Sequence, residues 1–159
     1  DTHAIRVREL RQRHLDSTSS TDHTSARSAA QALIKPLTDY VEENPSAIFY
    51  VKILSQLAAL NSTILNPSST SGINFQHDEI LEQLLRQALA HLKPAETKRR
   101  MFLTVSITFH SIADVCRASE NSTTSPTLKN RAMMFEQITL AVESLLAAPA
   151  MEERACGLA

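Results

Sequence analysis

The sequence contains very little glycine and no strand-like pattern. Only two glycines, Gly72 and Gly157, occur in its 159 residues, although tight turns between strands commonly use glycine. No segment alternates apolar and polar residues over the length of a strand, as a half-buried strand would. These absences predict an all-α fold, and the length fits one domain with a hydrophobic core of its own.

The chain also lacks a charge excess, a cysteine framework and a long apolar run. Its formal net charge of -1 excludes a broadly basic surface that coats nucleic acid. Cys116 and Cys156 match no disulfide or zinc spacing, which favours a reducing compartment. No apolar run reaches the roughly 18 residues that a membrane span needs, and the polar start is unlike a signal peptide. We therefore expect a cytoplasmic protein without a membrane partner.

Apolar residues at three- and four-residue steps predict about six helices. Residues 1–15 have the pattern of a helix already in progress, and we interpret them as the end of a linker helix from a preceding domain. A Ser- and Thr-rich loop follows at 16–25. Residues 16–150 are then predicted to form the domain itself, and 151–159 a flexible tail.

Two helices in the first half have distinctive patterns. The first begins at residue 26, and Pro36 inside it predicts a kink, because proline lacks a backbone N–H. The second begins at Asn44-Pro45 and runs to about Leu60, with apolar residues around most of its circumference. That distribution predicts that the second helix is the central one.

The second half is predicted to contain three further helices, at 75–92, 94–118 and 126–149. The helix at 94–118 has two apolar faces, one with Val105 and Ile112 and another with Leu103 and Ile107. Two such faces indicate that it packs against its own domain and against something else.

The sequence offers few groups for catalysis or metal binding. His110 and Asp114 stand four residues apart and share a helix face, but a metal site needs a third ligand. A buried, hydrogen-bonded histidine is the more ordinary interpretation. His77-Asp78 lies at a predicted helix start, where aspartate commonly caps. We therefore expect no metal, no cofactor and no enzymatic activity.

A cavity for a small molecule is predicted among the apolar and polarizable residues of the broad-faced helices. Plain core packing explains the same pattern, and periodicity does not separate the two. The candidate lining residues are Tyr40, Phe49, Tyr50, Ile53, Leu57, Met101, Phe102 and Phe109, with Gln56, Thr108 and His110 for polar specificity.

Several segments resemble helices of the ligand-binding and dimerisation domain of TetR-family transcriptional regulators. Residues 32–37 (ALIKPL), with a proline inside a helix, and 50–57 (YVKILSQL) resemble the family's fifth and sixth helices. The arginine pair at 99–100 followed by 110–114 (HSIAD) resembles the eighth, and residues 6–16 resemble the end of the fourth. The resemblance spans nearly the whole chain.

This resemblance implies the effector-sensing domain of a repressor whose helix-turn-helix domain would precede residue 1 and is absent from this chain. A small apolar or amphipathic ligand would bind among the helices holding Pro36, Phe49, Leu85 and Phe109, shift the helix at 6–15 and release operator DNA. The last two long helices would pair with their copies in a homodimer. The implied dimer contacts are Thr108, Ile112, Cys116, Phe135, Ile138, Val142 and Leu145.

Two other functions fit parts of the pattern. A helical interaction module would use its broad apolar faces to grip a partner helix, and it predicts an open groove where a sensor has a closed pocket. An enzyme built on a helical bundle would need three or more converging His or carboxylate groups. The sequence contains no pair of Glu-x-x-His motifs, so the enzyme ranks last.

Overall fold

The computed structural model describes residues 2–18, 25–60 and 79–151, and within these ranges every regular element is an α-helix. The all-α prediction is confirmed for this part of the chain. The predicted loop at 61–72, the helix start near 75 and residues 152–159 of the predicted tail lie outside it. The helices are α1 (Thr2–Thr18), α2 (Ser25–Glu43), α3 (Ala47–Leu60), α4 (Glu79–Ala88), α5 (Pro94–Glu120), α6 (Pro126–Lys129) and α7 (Arg131–Ala147).

Helix α2 forms the centre of the fold. It packs against α1, α4 and α7 and touches α3 and α5. Small side chains allow these close approaches, because a methyl group keeps neighbouring backbones near one another. Its buried residues include Ala26, Ala29, Ala30, Ala32, Leu33, Ile34, Leu37 and Val41.

The prediction that α3 is the central helix is wrong. Phe49 and Ile53 on α3 are 66% and 53% exposed, whereas Val51 and Leu54 are buried. Helix α3 packs mainly against α5, with few contacts to α2. Hydrophobicity therefore did not predict burial for these two helices. Alanine-rich α2 is less hydrophobic than α3 but more enclosed by its neighbours.

The long helix α5 packs between α3 and α7. It starts at Pro94, as the Lys93-Pro94 pair predicts. The predicted single helix at 126–149 is interrupted at Asn130, whose side-chain oxygen accepts a hydrogen bond from the backbone N–H of Met133 at 3.2 Å. Asparagine is a strong N-cap, so α7 begins anew after the four-residue α6.

Among residues 2–18, 25–60 and 79–151, no helix combines the length and the apolar character needed to cross a membrane.

Candidate functional site

A proline in α2 creates the docking point for α1. Because Pro36 has no backbone N–H, the carbonyl of Ala32 loses the donor that an α-helix normally provides four residues later. The side chain of Arg11 fills that role, and its Nε donates to the Ala32 oxygen at 2.7 Å. Arg11 is only 7% exposed, so this charged group is buried on a specific acceptor. Helix α2 continues through Pro36, and the predicted kink stays a prediction.

Three rings join the first turn of α1 to α2 and α3. The Nδ1 atom of His3 lies 2.7 Å from the Tyr40 hydroxyl, and the His3 ring stacks on Tyr50 with centroids 5.0 Å apart. Tyr40 and Tyr50 meet edge to face at 6.5 Å, a favourable arrangement of aromatic pairs. Burial raises the pKa of Tyr50, and the nearby positive charge of Arg11 opposes that shift. Tyr50 therefore remains a neutral hydroxyl at physiological pH.

Charged side chains add two further links around α1. Arg6 donates to Glu43 at the end of α2, at 2.8 Å, and the hydrogen bonds to Glu43 and Glu9 raise the pKa of Arg6. These pairs are solvent-exposed and contribute little to stability. Towards the end of α1, burial lowers the pKa of the half-buried His14, while the carboxylate of Asp39 opposes this shift.

The predicted ligand residues fall into different environments. The structure brings Tyr40 and Tyr50 together, and it buries Phe109 and Thr108 in the core. Thr104 and Thr108 are fully buried, and their hydroxyls have no hydrogen-bond partner within the described ranges. Tyr50, Met101 and His110 are half-buried, Phe49, Ile53, Gln56 and Phe102 are exposed, and the side chain of Leu57 lies outside the described residues.

An open groove, the shape that the interaction module predicts, lies on the outer face of α5 beside one of these residues. Lys98, Arg99, Phe102 and Leu103 line it, and its volume is about 470 Å³. Sequence reasoning selected Phe102 for a ligand site and missed the other three. The spacing in the sequence could have indicated the groove, because each cation stands one helical turn before an apolar residue.

The predicted dimer contacts lie mostly inside the single chain. Six of the seven are buried in the core between α5, α7 and their neighbours, and Leu145 is half-buried. Burial also raises the pKa of the Cys116 thiol. In this arrangement the six are not available to a second copy, because the regular apolar stripe is the one that packs inward. Dimerisation itself stays a prediction, and the exposed apolar residues on these helices are Phe102, Leu103, Ile107, Met133 and Leu140.

The candidate metal pair does not converge with further ligands in the part of the chain that the structure describes. Asp114 is exposed and forms an ion pair with Arg117, and His110 is half-buried. No group of three or more His, Cys, Asp or Glu side chains is arranged for a metal ion among the described residues. His77 and Asp78 lie outside those residues.

Comparison with known proteins found no match. No family model, curated protein or solved structure matches this chain. The similarity to TetR-family regulators therefore depends on the sequence segments alone. The geometry of α1 on α2, and of the exposed faces of α5 and α7, is the structural basis for a functional proposal.

Proposed function

We propose that this chain is the effector-sensing and dimerisation domain of a TetR-type transcriptional repressor. A small apolar or amphipathic ligand would bind to the helical body of a homodimer. Its binding would move α1 and so release operator DNA from a helix-turn-helix domain that lies outside this chain.

The contact between Arg11 and Ala32 is the observation that supports this proposal most directly. It joins α1 to the middle of α2 at a carbonyl that proline leaves without a helical donor. The ring cluster of His3, Tyr40 and Tyr50 joins the start of α1 to α2 and α3. A ligand that displaces α2 or Tyr50 would therefore change the position of α1, which is the coupling that a one-component sensor requires.

The exposed surfaces of α5 and α7 support the dimer. Helix α7 exposes Met133 and Leu140, and α5 exposes Ile107, each more than a third accessible. Large apolar side chains that remain exposed in a single chain become buried when two copies associate. We propose that these three residues, together called the α5/α7 face, contact their copies in a second subunit.

Hydrogen exchange combined with a ligand screen tests this function. Compounds from a library of apolar and amphipathic molecules that raise the melting temperature are selected first. Each is then added to the wild-type chain and to R11Q, with R8Q as a matched control because Arg8 is an exposed arginine of the same helix.

We expect a stabilising ligand to change amide exchange across α1 in the wild type and in R8Q, and to change it much less in R11Q. A ligand that stabilises the chain while leaving α1 exchange untouched in all three proteins would contradict the coupling. A screen without any stabilising compound would contradict the sensor function.

A further inference from the structure

The groove on α5 has an apolar floor with cations at its edge. Lys98 and Phe102 stand one turn apart along the helix, and so do Arg99 and Leu103, which places the four side chains side by side. Phe102 and Leu103 are 42% and 45% exposed. Long basic side chains commonly lay their methylenes along apolar surface and keep the charge in water. The groove thus presents hydrocarbon and positive charge together.

In the part of the chain that the structure describes, neither cation has a partner that would neutralise it. Lys98 and Arg99 form no hydrogen bond and no ion pair within residues 2–18, 25–60 and 79–151. The carboxylate of Glu96 is close enough for Arg99 to lower its pKa slightly, but Glu96 is held by Arg100 at 2.9 Å and by the Met151 N–H at 2.9 Å. The positive charge at the groove is therefore available to an anion from outside the chain.

We infer that this groove binds the anionic headgroup of an amphipathic carboxylate. Lys98 and Arg99 bind the carboxylate, with the guanidinium able to donate two parallel hydrogen bonds, and Phe102 and Leu103 contact the first methylenes of the alkyl chain. The inference goes beyond the proposed function and is independent of it, because the groove is lined by α5 residues alone, whereas the proposed coupling acts through α2 and Tyr50. The groove's volume of about 470 Å³ lies within the usual range for small-molecule sites.

Charge argues against a second copy of the chain as the occupant. In a two-fold interface the same patch meets itself, so Lys98 and Arg99 of one copy would approach the same cations of the other. Like charges brought together and removed from water are unfavourable. An anion with an alkyl chain satisfies both the charge and the apolar floor.

Equilibrium dialysis with three ten-carbon ligands tests the inference on the full chain. Sodium decanoate is compared with neutral decanol and cationic decyltrimethylammonium, each below its micelle concentration. The proteins are the wild type, the double variant K98Q/R99Q, F102A, and the control R8Q/R13Q, whose two arginines are exposed on α1. All four positions that bear charge are on the surface, so circular dichroism is expected to show unchanged folding.

We expect decanoate to bind the wild type more tightly than the other two ligands, and to bind less tightly as salt increases. K98Q/R99Q should weaken decanoate binding by about fivefold or more and leave decanol binding unchanged. F102A should weaken decanoate and decanol alike, and R8Q/R13Q should match the wild type.

Equal affinity for the three ligands, or decanoate binding that K98Q/R99Q leaves unchanged, would overturn the inference. So would a change of oligomeric state in K98Q/R99Q without a change in decanoate affinity, because the face would then be a contact between copies. The proposed function survives any of these results if a neutral compound stabilises the dimer and alters α1 exchange. The proposed function fails by itself if no stabilising compound alters α1 exchange, whether or not decanoate binds the groove.

Discussion

At the scale of single residues, Pro36 leaves free the carbonyl to which the buried Arg11 donates. A buried arginine is unfavourable unless its donors are satisfied, and a proline inside a helix leaves a carbonyl without a donor. The 2.7 Å hydrogen bond from Arg11 to Ala32 supplies the donor that the carbonyl lacks and gives the guanidinium one buried acceptor. Sequence reasoning identified the proline but assigned no role to Arg11. The two residues are 25 positions apart in the chain, and no local pattern links them.

This pairing predicts a specific energetic coupling. R11M should lower the free energy of unfolding by about 1 to 3 kcal/mol, because the Ala32 oxygen stays buried without a donor. P36A supplies the missing backbone N–H, so R11M should cost about 1 kcal/mol less in that background. Urea unfolding of the wild type, both single variants and the double variant measures the coupling, with R8M as the control for an exposed arginine. Additive effects of R11M and P36A would show that the two residues act independently.

The half-buried His14 predicts a dependence of stability on pH. Burial lowers its pKa in the folded chain below the ordinary value of 6.5, so the unfolded chain binds the proton more readily. The stability that this site contributes is fully present above pH 6.5 and is lost as the pH falls from that value through the lowered pKa of the folded chain. H14Q should therefore flatten the loss of stability between pH 7.5 and 5, as thermal unfolding at several pH values measures. An unchanged slope in H14Q would assign the pH dependence to other groups.

At the scale of helices, local sequence signals predicted where helices begin and end better than they predicted which helices are buried. Proline marked the start of α5 and of α6, and the three- and four-residue periodicity located most of the helices. The choice of central helix failed because it relied on hydrophobicity, whereas alanine-rich α2 packs closely on several neighbours. The break at Asn130 was missed because an apolar stripe runs through it. The dimer contacts were chosen from the most regular stripes, which the fold uses for its own core.

The end of α7 depends on a contact with α5 that the sequence did not reveal. Arg100 donates to the carbonyls of Leu145 and Ala148 at 2.7 and 2.9 Å, which are among the acceptors that a helix end leaves free. The backbone N–H of Met151 bonds to Glu96 and, with Arg100, lowers the pKa of that carboxyl. The guanidinium thus replaces a conventional C-cap.

Loss of this anchor should release the last turn of α7. In R100M, amide exchange over residues 145–151 should accelerate at least tenfold relative to the wild type, because three carbonyls and Glu96 lose their partner. R117M is the matched control, since Arg117 is an exposed arginine of the same helix with a single acidic partner. Exchange in R100M that stays as slow as in R117M would mean that packing alone holds the end of α7.

At the scale of the whole molecule, the α5/α7 face is the proposed surface for a second subunit. Ile107 and Leu140 are 37% and 47% exposed, so replacing them with charge should leave the fold intact. L140E should convert a dimer into a monomer at micromolar concentration, because a buried charge at the interface costs several kcal/mol. Light scattering after size exclusion measures the mass. L128E is the control, since Leu128 is equally exposed but lies on α6, and a wild-type monomer would refute the dimer.

The central claim is that a ligand in the helical body moves α1 in a homodimer. The distance between spin labels on the two copies of α1 tests it most directly, with the label at R8C on the exposed face of α1, the buried Cys116 retained and C156S to remove the other thiol. We predict one distance between subunits without ligand, a shifted distance at saturation with the most stabilising compound, and a much smaller shift when R11Q is added. An unchanged distance in the ligand-bound dimer, or no distance between subunits at all, would contradict the account.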